Sequence, residues 1–191
     1  LNVFLVMIGL VLITFQSNAQ TTINTQKIDS FLQKLTGYDK ILGTVAISKS
    51  GKIVYYKRFG SDLQKNNIEE ITSTEYKYRI GSISKMFTAV MIFQLIDENK
   101  LSLNDKLSVY FPEMPNAKVI TIDNLLNHHS GLYSFTNDSN YLTWCVNHKS
   151  KEEMLRIMKD EKPVFNPDEK CGYSNTNYVL LGYIIEAITG N

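Results

Sequence analysis

The sequence has little cysteine, almost no net charge and no apolar run long enough to span a bilayer. Cys145 and Cys171 are its only cysteines, so at most one internal disulfide can form. Lys and Arg outnumber Asp and Glu by 20 to 19, a net charge of +1. A nucleic-acid binder would carry a basic surplus or stripe, and none is present. There is no low-complexity tract and no internal repeat at solenoid or propeller periods. Gly81 and Gly131 stand isolated, so no glycine-rich phosphate loop exists, and no Gly-x-Ser-x-Gly elbow occurs. His128 and His129 are adjacent but lack partners at metal-ligand spacing, and His148 stands alone. The expectation is therefore no metal and no cofactor, with the paired histidines at a helix end or in a loop. With 191 residues, 43% of them hydrophobic, the chain suits one domain, at most two, with a core of its own.

Residues 3–15 form an almost unbroken apolar run, short of the roughly 20 residues a spanning helix needs. Ser17, Asn18, Ala19 and Gln20 follow, with small residues where a signal peptidase reads. Residues 1–19 are expected to be a signal peptide cleaved after Ala19, and residues 20–191 to be the folded domain. The alternative is an uncleaved N-terminal anchor. The run begins at Leu1 and has no positively charged segment before it. Export places the protein in the periplasm or outside the cell, with no stable membrane span after cleavage. Oxidising surroundings would permit a Cys145–Cys171 bridge; two buried thiols are the other reading.

Ile28, Phe31, Leu32 and Leu35 recur at helical spacing, with Gly37 as a C-cap. Residues 43–49 and 52–59 are rich in Val, Ile and Tyr, and Ser50-Gly51 separates them as a two-residue hairpin turn. Polar residues 61–74 read as a loop. Residues 82–98 are apolar on nearly every face, the pattern of a buried helix. A short helix is expected over 121–127. Ser150 and Glu153 form a capping box ahead of another, and a last helix covers 178–188, closed by Gly190. An isolated two-stranded sheet is marginal in water, so this hairpin needs further strands. They are expected beyond the end of this sequence.

Ser82-Ile83-Ser84-Lys85 opens the apolar helix. Positions three apart share a helical face, so the Ser82 hydroxyl and the Lys85 amine can meet, while Ser84 points elsewhere. The helix N-terminus offers backbone N–H groups to a developing oxyanion. Burial would disfavour the charged form of Lys85, and a neutral amine beside a hydroxyl is a base beside a nucleophile. About one Ser-x-x-Lys is expected by chance in such a composition, so the tetrapeptide alone decides nothing. Tyr173-Ser174-Asn175 lies in the loop before the last helix. In an extended segment Tyr173 and Asn175 point the same way. A phenol near an ammonium has its pKa lowered and can relay a proton. The pattern Tyr-x-Asn also occurs about once by chance, and Tyr and Asn are common in loops.

The longer blocks carry more. Tyr78-Arg79-Ile80-Gly81-Ser82-Ile83-Ser84-Lys85-Met86-Phe87-Thr88-Ala89 resembles the active-serine helix of the serine β-lactamase and D-alanyl-D-alanine carboxypeptidase superfamily, in its class C-like branch. Leu125-Leu126-Asn127-His128-His129-Ser130-Gly131-Leu132 resembles its leucine–histidine–serine–glycine turn. Tyr173-Ser174-Asn175 followed by Leu180-Leu181-Gly182 resembles its tyrosine motif. The hairpin and Leu101-Ser102-Leu103-Asn104-Asp105 also fit, all in family order, so the resemblance covers essentially the whole mature chain.

The resemblance implies an α+β fold of β-lactamase/transpeptidase type: an antiparallel sheet flanked by helices, plus a helical subdomain roughly over residues 82–172. It implies that Ser82 is the nucleophile of an acyl-enzyme, Lys85 assists its deprotonation, and Tyr173 is the general base and later acid. Asn175 would hold the substrate amide or Lys85, and the Ser82 backbone N–H would supply half of an oxyanion hole. The expected partner is a small-molecule or peptide substrate: a D-amino-acid peptide, a β-lactam, or a small ester or amide. A sensor that stays acylated, or a binding module on the same scaffold, is the alternative. Two departures stand out. The third motif, a Lys or His variant of lysine–threonine–glycine, would lie on a strand beyond the tyrosine helix and is absent here; this predicts that the 191-residue chain alone is poorly folded and inactive. Pro167-Asp168 also stands where the family usually shows Pro-Gly.

Overall fold

The computed structural model describes residues 23–41, 43–59 and 77–190. The expected leader at 1–19 and the polar loop at 61–74 lie outside the described residues. The chain divides into two units, Leu1–Lys77 and Tyr78–Asn191.

In the first unit, helix α1 (Thr25–Gly37) starts at Asn24, whose side chain accepts the Lys27 backbone N–H at 3.0 Å. Strands β1 (Gly43–Lys49) and β2 (Lys52–Phe59) pair antiparallel from Gly43↔Phe59 to Lys49↔Lys52. Ser50 (φ 51°) and Gly51 (φ 75°) both take left-handed conformations, as a mirror-image hairpin turn with matching twist requires. The register slips once: Ile47 faces Tyr55 and Ser48 faces Ile53, leaving Val54 as a bulge. Leu32, Tyr55 and Phe59 form a small core, flanked by Ile28, Leu35, Val45 and Ile47. Phe31, expected on the buried stripe, is 62% exposed. Only the Ile28–Leu32–Leu35 side of α1 is covered, and Phe31 projects beside it. The Tyr55 hydroxyl donates to Asp29 Oδ1 at 2.7 Å, and Lys57 Nζ donates to the same oxygen at 3.1 Å. Burial, then the Asp29 carboxylate, pushes the Tyr55 phenol up to about 12. The Tyr55 hydrogen bond, then Lys57, holds Asp29 below its ordinary value.

The second unit is helical: α2 (Ser84–Asp97), α3 (Ile122–Leu126), α4 (Tyr141–Trp144), α5 (Lys151–Lys159) and α6 (Asn175–Thr189). Its core gathers Ile92 and Leu95 of α2, Leu107, Ile120, Ile122 and Leu125 around and within α3, and Leu180, Leu181 and Ile184 of α6. α6 is the central post, burying residues on two adjacent stripes. α5 begins with the expected capping box, in which Ser150 and Glu153 bond each other's backbone N–H at 2.8 and 3.2 Å. α6 ends at Gly190 with φ 76°, the left-handed C-cap conformation.

The expectation of an enclosed α2 is corrected. Within the helix only Ile92 and Leu95 are buried, while Phe87, Val90, Met91 and Phe93 are 44–61% exposed. Residues apolar all round carry no preferred side, so pattern cannot tell which side is covered. Both thiols are free, Cys145 half-buried and Cys171 exposed, so neither a bridge nor a buried pair is formed. Among the described residues no helix is long and apolar enough to cross a membrane.

Candidate active site

Four side chains converge where α2 and α6 begin. Gly81–Ile83 is a single tight 3-10 turn leading directly into α2, and Gly81 enters it at φ 53°. That turn carries Ser82, and Lys85 follows on the first turn of α2. Lys85 Nζ donates to Ser82 Oγ at 3.2 Å, as the three-residue spacing predicts. Tyr173 Oη and Ser82 Oγ lie 2.7 Å apart across 91 positions of chain. Lys85 Nζ also donates to Asn175 Oδ1 at 2.7 Å, and the Tyr173 hydroxyl reaches the same oxygen at 3.3 Å. The structure thus brings together all four residues singled out in the sequence. Ser82 and Tyr173 are exposed, and Lys85 and Asn175 are half-buried.

Two local expectations change. Asn175 is the first residue of α6, not part of an extended loop; only Ser174 before it is extended, at φ −140° and ψ 124°. Among the described residues Lys85 is half-buried at an open helix mouth, where full burial of its amine was expected. Lys85, then the Ser82 hydroxyl, holds Tyr173 below the ordinary tyrosine value against a smaller opposing effect of burial. A phenol so shifted, at 2.7 Å from a hydroxyl, is placed to accept its proton.

Asn175 is braced from the other side. Its backbone N–H donates to Ser134 Oγ at 3.0 Å, and its amide donates to Thr136 Oγ1 at 2.9 Å. Thr176 and Asn177, polar and fully buried, are satisfied in the same way: Thr176 Oγ1 donates to Tyr133 O at 2.6 Å, and Ser130 Oγ donates to Asn177 Oδ1 at 2.7 Å. Sequence reasoning missed Ser134 and Thr136. The available signal was two hydroxyls spaced by two residues just after the Ser130-Gly131 turn. Gly131 itself (φ 73°) is obligatory, since a Cβ there would run into the Phe165 carbonyl.

Ser82, Lys85, Thr88, Thr136, Asn175 and Tyr178 border an open cleft of about 420 Å³. It can admit a small acyl compound, with the hydroxyl on its wall. Among the described residues no cluster of His, Cys, Asp or Glu could hold a metal ion.

The β-lactamase family model matches residues 28–191. A putative penicillin-binding protein of Bacillus subtilis is 31% identical over 175 residues, covering 92% of this chain and 41% of its own. The teichoic acid D-alanine hydrolase of Staphylococcus aureus is 29% identical over 165 residues, covering 86% of this chain and 38% of its own. The chain therefore spans about two-fifths of the length of these curated relatives. The octameric penicillin-binding protein homologue from Pyrococcus abyssi superposes with a TM-score of 0.69 at 31% identity, over 88% of this chain and 40% of that one. The fold is thus of β-lactamase/transpeptidase type, with the two described strands and the helical unit forming part of it. Sequence match, fold and relatives agree that this chain belongs to the β-lactamase family.

Proposed function

We propose that the chain carries the acyl-transfer centre of a serine hydrolase. The observation that carries this reading is the 2.7 Å approach of Tyr173 Oη to Ser82 Oγ, with Lys85 Nζ 3.2 Å from the same hydroxyl. In the first step Tyr173, as phenolate, takes the Ser82 proton while Oγ attacks the substrate carbonyl carbon. The carbonyl oxygen becomes an oxyanion at the mouth of α2, facing the Ser82 backbone N–H. Collapse expels the amine or alcohol, which takes the proton from Tyr173 and leaves an acyl-Ser82 ester. Attack by water, with Tyr173 again as base, releases the acid and restores Ser82. Lys85 holds positive charge against both oxygens, and Asn175 fixes Lys85 and the substrate amide.

The substrates proposed are D-amino-acid peptides, β-lactams, or small esters and amides. The name of the Staphylococcus aureus relative supports a D-alanyl bond. The apolar run at 3–15 and Ala19 support export, which would place the site among cell-envelope polymers.

Labelling the full-length gene product with a fluorescent penicillin or a fluorophosphonate tests the reading. Label should be lost in Ser82→Ala and kept in Ser84→Ala; the reverse would refute the assignment of the nucleophile. Stoichiometric label without product release, read by mass spectrometry, would point to the acylated sensor instead.

A further inference from the structure

The loop that presents Tyr173 hangs on the turn after α3. Val164 N–H donates to Gly131 O at 2.8 Å, Asp168 N–H to His129 O at 2.9 Å, and Gly172 N–H to His128 O at 2.9 Å. His128 adds its side chain to this seam. Its Nδ1 accepts the Ser174 backbone N–H at 3.2 Å and lies 3.3 Å from Asn177 Nδ2. Two donors thus converge on Nδ1, which leaves the imidazole proton on Nε2. The ring lies 4.6 Å from the Tyr173 ring and 5.3 Å from the Tyr178 ring, centroid to centroid. His128 therefore grips both neighbours of Tyr173 in the chain, Gly172 through its carbonyl and Ser174 through its ring, and packs on Tyr173 between them.

A histidine that merely ends a helix needs no such arrangement. We infer that His128 is a positioning residue, whose neutral imidazole holds the Tyr173 phenol oxygen against Ser82. This rests on the reading of Tyr173 as the proton acceptor. The groups facing the imidazole are Lys85 from α2, Tyr173 and Ser174 from the loop, and Asn177 and Tyr178 from α6. Burial, then the charge of Lys85, lowers the His128 pKa, so the neutral form required is also the form favoured.

Two substitutions in the full-length gene product test the inference. His128 sits at φ 63°, a conformation that Gly and Asn adopt with least penalty. His128→Gly removes the acceptor and the ring. His128→Asn puts Oδ1 in the place of Nδ1 and restores the acceptor without a titrating ring. His128→Gly should lower kcat about a hundredfold with KM little changed, the scale of a misplaced catalytic group, and His128→Asn should recover most of it. A second readout needs no turnover. With tyrosine labelled at the ring carbon bearing oxygen, the Tyr173 NMR signal, assigned through Tyr173→Phe, should titrate below the usual value of about 10 in the wild type. It should return toward that value in His128→Gly and stay low in His128→Asn. The wild-type signal should also step as His128 protonates, and that step should vanish in His128→Asn, which decides the matter even if His128→Gly does not fold. A Tyr173 titration unmoved by His128→Gly overturns the inference, whether or not the wild type hydrolyses anything. A wild type unlabelled at Ser82, with Tyr173 still dependent on His128, would instead overturn the proposed function and leave the positioning role standing.

Discussion

Asn124 donates its buried side-chain amide to the Asp168 carboxylate at 2.6 Å. The contact joins the capping box of α3, where Asn124 Oδ1 also accepts the Thr121 N–H at 3.0 Å, to the loop that leads to Tyr173. Asp168 itself sits at φ 67°. The turn is thus kept by a residue that bears left-handed strain and offsets it with a charge-assisted hydrogen bond.

Substitutions at Asp168 should separate the two effects. Asp168→Ala keeps the strain and leaves the Asn124 amide unpaired, and should destabilise the protein by about 1–3 kcal/mol. Asp168→Gly relieves the strain while still orphaning Asn124, so its loss should be smaller. Asp168→Asn keeps an acceptor and tolerates the conformation, and should be near neutral. Urea unfolding midpoints give the order; a neutral Asp168→Ala would show that the bond contributes nothing.

Gly131→Ala should be more severe than any of these. The added methyl has no room beside the Phe165 carbonyl, and φ 73° is unfavourable for any Cβ. A loss of more than about 2 kcal/mol is expected from strain and overpacking together, read as a fall in Tm. Because the same seam holds the Tyr173 loop, labelling of Ser82 should fall with it.

Thr136→Val removes the hydroxyl that accepts the Asn175 amide while keeping its shape. With Asn175 free to turn, Lys85 loses its fixed acceptor. A drop in acylation rate of about tenfold is expected, the equivalent of one neutral hydrogen bond. Stopped-flow acylation by a chromogenic cephalosporin measures it, and an unchanged Tm separates the effect from stability.

The pH dependence of stability should carry the signature of His128. Its folded pKa is lowered, so between that value and the unfolded value of about 6.5 the unfolded chain binds more protons. Stability therefore rises with pH across this window and is lost as pH falls through it. Denaturation curves between pH 5 and 8, compared with His128→Asn, isolate the contribution (the pH range is about that of histidine titration). A wild type that lost stability relative to His128→Asn as pH rose through this window would contradict the sign.

Acylation rate should rise with pH as Tyr173 ionises, at a midpoint below the usual tyrosine value of about 10, because Lys85 and the Ser82 hydroxyl favour the phenolate. Tyr173→Phe should abolish that limb.

What the sequence revealed was mostly local. Ser50-Gly51, Ser150 with Glu153, and Gly190 each act through backbone bonds to residues within one turn, so their chemistry shows in a few letters. Ser82 and Lys85 meet for the same reason. The start of α6 was less legible, because Asn175, Thr176 and Asn177 look like loop residues. Their polar groups are satisfied by Ser134, Tyr133 and Ser130, partners more than 40 positions away. Burial along α2 was not legible at all. Which side of a uniformly apolar helix is covered depends on its neighbours, and Ile92 and Leu95 are distinguished from Phe87 or Val90 only by facing α6. The meeting of Tyr173 with Ser82 came through the family resemblance, since no spacing rule links residues so far apart.

All four clustered side chains belong to the Tyr78–Asn191 unit, yet 91 positions separate the hydroxyl from the phenol. On a ribosome the serine emerges first, and 91 further positions must follow before Tyr173 exists. Under the proposed mechanism, reactivity is withheld by the order of synthesis itself: a nascent chain stalled anywhere before Tyr173 presents Ser82 as an ordinary, inert alcohol.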